Sequence, residues 1–383
     1  MSYKLIPVDN YFDSQPPKST CPSVSVIISL YNYERYIGEC LDSLLAQTFQ
    51  NFEVIVVDDC STDNSVAVVE SYRERFGGRL TLTKTERNTG GGGEPRNLGF
   101  TLSRGEYVFF MDADDVVIKT ALEELYTLAK NYDADVVYCE KYFMSSGIGQ
   151  EFIDNVHIAN IKTQKPPFVE EPTLETTDLA ERVKRTINCN YWMTPWLRLV
   201  SRDLLVANDI KFPSLIGSND VAWTYEVLFC SKKFLRVPNT VYIRRIHDES
   251  VSFRERTTPD LVHKWMDRSI RNLKDIDDFM AGIEFFRDNP VYRHNIVNDC
   301  LKRDFREIFA ACKKESLFNV YSIFREKFGD YLGKHDVLVA ALCTRVIGER
   351  KFWEKKYNNY VKDTQQRIDE LEAEILQLKN DAW

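Results

Sequence analysis

Three carboxylates in four positions, Asp112, Asp114 and Asp115, follow an apolar run in EYVFFMDADDVV (106–117). Carboxylates this close repel one another unless a cation sits between them. Two placed at i and i+2 just past a strand end can point into the same crevice. That suits a hard divalent metal taking oxygen ligands, with positions left open for phosphate oxygens. The same residues also fit a strand-to-helix turn in which Asp115 caps the next helix. The run Gly90–Gly93 lacks the GxxxxGK[ST] pattern of a phosphate loop. It reads either as a mobile entry loop or as a place where backbone approaches a ligand closely.

The elements that must position these groups alternate in type. SVSVIISL (23–30), FEVIVVDD (52–59), RLTLTKT (79–85), EYVFFMD (106–112) and ADVVYCE (134–140) read as strands. Between them, Ile37, Leu41, Leu44 and Leu45 mark one helix face. Ser61, Thr62 and Asp63 signal the start of a helix from Val66 to Arg75. Pro95 suits the first turn of a short helix ending near Ser103, and Ala121 to Tyr132 is a further helix. Strand–helix alternation predicts an α/β fold with a doubly wound, mostly parallel sheet covered on both faces. Ligands of such sheets bind outside the carboxyl ends of the strands. Tyr31-Asn32, Asp58-Asp59 and Asp112 to Asp115 all fall at such ends. Residues 141–175 show no clear periodicity and read as an irregular insertion over the site. From about 260 onward the pattern is helical.

The 383 residues are too many for one ordinary core. A net charge of −8 argues against a general nucleic-acid binder. The nine cysteines are scattered, with no CxxC pair, as in reduced cytosolic proteins. The first twenty residues lack an apolar signal-peptide core, and no run reaches the length of a membrane span. A cytoplasmic protein is expected.

With the order of motifs in view, the chain resembles the family 2 glycosyltransferases of GT-A fold. The resemblance opens on VSVIISLYNYERYIGECLDSLLAQTFQNFEVIVVDDCSTDNS and continues through RNTGGGGEPRNLGF and RGEYVFFMDADD. It extends to TPWLRLVSRDLL, IKFPSLIGSNDVAWTYEVL and VYIRRIHDESVS, from about Ser23 to Ser252. It implies an enzyme that moves a sugar from a nucleotide diphosphate, by default a UDP-sugar, to an acceptor hydroxyl with inversion. A Mn2+ or Mg2+ ion would bridge the diphosphate and the carboxylates at Asp112 and Asp114. Ser29, Tyr31, Asp59, Arg96 and Asp112 match positions around the nucleotide, and Asp220 matches the catalytic base. His247 matches a histidine that in some relatives helps bind metal or diphosphate; the alternative is a structural histidine. Many relatives carry Glu-Asp where this chain has Asn219-Asp220.

The residue types fit that chemistry. A metal Lewis acid stabilises the leaving diphosphate, a carboxylate takes the acceptor proton, and the two flank the anomeric carbon in line. Asp220 also suits an N-cap of a helix over 221–230, a role compatible with the base. Arg244 and Arg245 suit phosphate or a charged surface. Trp192 and Trp196 suit an acceptor-sugar platform or core packing. The implied division is a lead-in (1–22), a transferase domain (23–255, with halves 23–140 and 141–255) and a helical region (256–383). Within the last, a heptad over 361–378 points to a short coiled coil and self-association, or to a solvated helix. The stretch RVIGERKFWEKKYNNYVK suits an anionic membrane face beneath a lipid-linked or other glycan acceptor, or a charged helix in water. The alternatives to a surface-polysaccharide transferase are a sugar nucleotidyltransferase and a scaffold that binds nucleotide sugar without turning it over.

Overall fold

The computed structural model describes residues 21–149, 151, 161–163, 168–188, 191–214, 219–248 and 266–312. The chain divides into two compact units, Met1–Asp288 and Asn289–Trp383. In the second unit one helix is described, Pro290–Cys312. The expected lead-in up to residue 20, the boundary at 255/256 and the heptads over 361–378 lie outside the described residues.

Strands β1 (Val24–Leu30), β2 (Phe52–Asp58), β3 (Leu80–Lys84) and β4 (Tyr107–Asp112) form a parallel group in the order β3-β2-β1-β4. Helices α1 (Ile37–Leu45), α2 (Ser65–Ser71) and α3 (Gly93–Leu102) connect them. Strands β1, β2 and β4 are Val, Ile and Phe runs buried along nearly their whole length. Alternate side chains point to opposite faces, so both faces of the sheet must be covered. Gly99 shows how closely α3 lies on one of them: a Cβ there would sit 2.4 Å from Ile27 Cγ2.

Beyond β4 the parallel pattern breaks. The large sheet has eight strands, in the order β3-β2-β1-β4-β10-β6-β11-β9. Here β6 is Val136–Cys139, β9 Thr173–Leu174, β10 Arg198–Ser201 and β11 Phe234–Val237. Strand β10 runs antiparallel to both β4 and β6, so the segment expected as the fifth parallel strand is separated from β4 by an inverted neighbour. A second sheet of four strands follows the order β5-β12-β7-β8, from Val116–Val117, Tyr242–Ile246, Lys141–Ser146 and Ile161–Thr163.

Two local expectations change. The stretch 141–175 contains β7, β8 and β9 rather than only irregular chain. These strands are two to six residues long, and their pairing with distant segments leaves little periodicity to read. The helix expected over 66–75 is Ser65–Ser71, and its N-cap residue Asn64 makes no side-chain cap bond. Asp63 instead accepts from Ser65 N and Glu34 N, both at 3.0 Å, and so ties the loop after β1 to that after β2.

The further α-helices described in the first unit are α4 (Ala121–Tyr132), α5 (Leu179–Ile187), α6 (Arg202–Ala207), α7 (Asn219–Cys230), α8 (Met266–Gly282) and the short α9 (Glu284–Asp288). Helix α8 packs against α7. No helix among the described residues is long and apolar enough to cross a membrane.

Candidate active site at the carboxyl ends of the parallel strands

Register brings the polar strand ends to one edge. Leu30 pairs with Asp58 and Ser29 with Asp112, so the chain leaves β1, β2 and β4 side by side. Ser29 is half-buried beside Asp112. Tyr31 stands exposed just beyond β1. Asn32 adopts a left-handed φ of 56°, which asparagine tolerates better than most residues. Its Oδ1 accepts from Thr62 N at 2.7 Å, locking the two neighbouring loops.

Asp59 is buried and turned toward the loop after β3. Its oxygens accept from Thr85 Oγ1 at 2.8 Å and from Thr89 N and Oγ1 at 3.0 Å. The carboxylate thus anchors the segment that leads into the glycine run. That run is not only a loop. Gly92 is the N-cap of α3 and Gly93 its first residue.

One turn into α3, Arg96 is buried with its guanidinium spread across the site. Nη2 donates to Asp112 Oδ1 and Nη1 to Asp220 Oδ1, both at 2.7 Å. The guanidinium carbon lies 5.2 Å from the centre of the Phe212 ring. Burial alone disfavours its charge, but Asp220 and Asp112 outweigh that and hold its pKa above the ordinary arginine value. Asp220 sits in the first turn of α7, which starts at Asn219, so it is not the cap residue of that helix.

At the other end of Arg96 lies the acidic turn. Ligand oxygens of Asp112, Asp114 and Asp115 all come within 4.8 Å of one another. Asp115 does not cap a helix: the next one starts at Ala121, behind Thr120. Its oxygens accept from Tyr242 OH and from Arg245 N, each at 2.7 Å. Burial, then repulsion from Asp114 and Asp112, pushes the Asp115 carboxyl well above the usual range. Burial also raises Asp112, against the pull of Arg96. His247 Nε2 lies 2.8 Å from Asp114 Oδ2, and its ring packs on Tyr36 at 4.6 Å between centres.

This donor set fits a dication. With Oδ1 of Asp112 on Arg96 and Oδ2 of Asp114 on His247, Asp112 Oδ2 and Asp114 Oδ1 carry no hydrogen bond among the described residues. Two anionic oxygens from residues i and i+2, crowded by a third carboxylate, are what a hard oxygen-seeking cation requires.

Residues 25–180 match the family model described as glycosyl transferase family 2. They form a family 2 glycosyltransferase domain. Among curated relatives, glycosyltransferase GlyG of Streptococcus pneumoniae is 27% identical over 284 residues, covering 74% of this chain and 88% of GlyG. The poly(ribitol-phosphate) β-N-acetylglucosaminyltransferase TarS of Staphylococcus aureus is 33% identical over 214 residues, covering 55% of this chain but only 32% of TarS. The crystal structure of TarS residues 1–349 with UDP-GlcNAc superposes with a TM-score of 0.62 at 24% identity, covering 81% of this chain and 80% of that one. The shared fold is therefore GT-A.

Two residues around the acidic turn were not singled out by sequence, and a third has a different role from those expected of it. Tyr242 and Glu39 carry no motif of their own. Arg245 is neither surface charge nor turned to a phosphate: it is buried among protein partners. The tryptophans divide. Trp196 is core, stacked on Tyr242 at 4.5 Å. Trp192 stays half-buried, its backbone N donating to Tyr138 OH at 2.8 Å and its Nε1 to Glu140 O at 3.2 Å.

Proposed function

We propose that this protein is a metal-dependent, inverting glycosyltransferase that takes a UDP-sugar and passes the sugar to a hydroxyl of a cell-surface glycan. The observation that carries the reading is the Arg96 fork, which sets Asp112 and Asp220 at the two ends of one guanidinium. A carboxylate for the cation and a carboxylate for the acceptor proton then lie on either side of the place where donor and acceptor meet.

Asp112 and Asp114 are the residues that would hold Mn2+ or Mg2+, with His247 orienting Asp114. The cation, when bound, supplies Lewis-acid stabilisation of the departing diphosphate. Asp220 takes the proton of the attacking hydroxyl through Oδ2, the oxygen that Arg96 leaves open. One displacement assisted by one base inverts the anomeric carbon. Ser29 and Tyr31 border the nucleotide, and Asp59 shapes its pocket through the loop it anchors. Uridine as the base rests on TarS, which was crystallised with UDP and with UDP-GlcNAc. A polymeric cell-wall acceptor rests on the same relative, whose acceptor is poly(ribitol phosphate).

The test is nucleotide release from a panel of UDP-sugars, with Mn2+ and with a chelator. Cation-dependent release of UDP from at least one donor is expected, with Asp220→Asn slowing it about 10²–10⁴-fold. Equal release with chelator present, or undiminished turnover by Asp220→Asn, refutes the assignment.

A further inference from the structure

Arg245, in strand β12, and His247, the residue just past its end, stand two positions apart against the acidic turn. His247 takes the side chain of Asp114. Arg245 takes its main chain: Nε donates to Asp114 O at 2.8 Å. The backbone N of Arg245 donates to Asp115 Oδ1 at 2.7 Å, so one residue grips two consecutive acidic positions. The guanidinium is buried, lies 5.2 Å from the Tyr36 ring centre, and donates from Nη1 to Gly147 O. Its charge is balanced by Glu39, whose Oε2 accepts from Nη2 at 2.8 Å. Glu39 comes from the first turn of α1, and its other oxygen accepts from Gly149 N at 2.7 Å.

We propose that Glu39 and Arg245 act as a positioning pair that sets Asp114 for the cation, without touching the cation or the donor. The inference rests on the metal site proposed above. A buried guanidinium is costly unless its donors are satisfied and its charge is met. Here every stated partner belongs to the acidic turn, to the 147–149 segment or to α1. The pair therefore welds three separate pieces of chain around one carboxylate. The free oxygen of Asp114 can point only where the turn allows, and Arg245 fixes the turn. Partners behind a metal ligand commonly govern affinity by about 10–100-fold.

The experiment uses the full chain with UDP present. Free Mn2+ is followed by electron paramagnetic resonance in titrations of wild type, Glu39→Gln, Arg245→Lys and the double variant. Each single variant is expected to weaken Mn2+ binding about 10–100-fold. The double variant should lose little beyond the worse single one, because the two residues act as one unit. UDP affinity in chelator should stay within about twofold of wild type. If Arg245→Lys fails to fold, Glu39→Gln, on the quarter-exposed side of the pair, still decides the matter. Variants that melt earlier yet bind Mn2+ as tightly as wild type show a purely structural role and overturn the inference. A wild type that binds no Mn2+ with UDP removes the metal site itself, and this inference with it.

Discussion

Arg96 Nη1 meets Asp220 Oδ1 at 2.7 Å, joining residues 124 positions apart in the chain. The contact ties the first turn of α7 to α3, and through the other arm of Arg96 to Asp112 at the end of β4. The proposed base and the proposed cation site are thus held by a single side chain. Replacing Arg96 by lysine keeps the charge but not the two-pronged geometry. Turnover by Arg96→Lys is expected to fall about 10²-fold, the scale of a 1 Å misplacement. Its circular dichroism should match wild type. Wild-type kcat in that variant would show that the fork is dispensable.

Asp114→Asn removes one of the two open anionic oxygens while leaving the turn's shape. Calorimetry should show Mn2+ affinity in the presence of UDP reduced by at least about 100-fold. Because that variant relieves repulsion among three carboxylates, its melting temperature without metal should be no lower than wild type's. A clear drop in the metal-free melting point would mean that Asp114 is a structural residue.

Gly93 has no room for a side chain. A Cβ there would lie 2.7 Å from Asn219 Nδ2 and 2.8 Å from Pro213 O, and a backbone oxygen has little freedom to move. Gly93→Ala is expected to cost about 1–3 kcal/mol by overpacking. It should also shift the start of α7, and Asp220 with it. Thermal unfolding together with kcat checks both; a stable variant with full activity would contradict the packing.

The fold pattern was legible in the sequence where it depended on local chemistry. The β-branched and aromatic runs of β1, β2 and β4 admit little besides buried parallel strands, and their polar ends had to share an edge. The inverted strand β10 was not legible. RLVS is four residues long and contains a buried arginine, Arg198, whose burial is made tolerable by the carbonyl oxygens of Thr194 and Trp192. Likewise, Asp112, Asp114, Asp220 and His247 could be picked out by motif. The parts played by Glu39, Arg245 and Tyr242 could not, because they depend on partners 127 to 206 positions away along the chain. Aspartate type and spacing are written in one segment; the scaffold that aims them is distributed.

Glu226 on α7 supplies a pH signature. Burial, then Asp275 on α8 and Asp209, pushes its carboxyl up to about 8. The folded state therefore holds a proton that the unfolded chain, near pH 4.3, has lost. Stability from this group is present below about pH 4 and declines as pH rises toward 8. Glu226→Gln, which mimics the protonated form, should flatten the fall in melting temperature between pH 5 and pH 8. An unchanged slope would place Glu226 in contact with water.

The most direct test of the account is a crystal grown with Mn2+ and UDP, measured at the manganese absorption edge. An anomalous peak beside Asp112 Oδ2 and Asp114 Oδ1, with diphosphate oxygens on its open side, is the predicted result. UDP bound with no peak at those oxygens, or a peak elsewhere in the molecule, would contradict it.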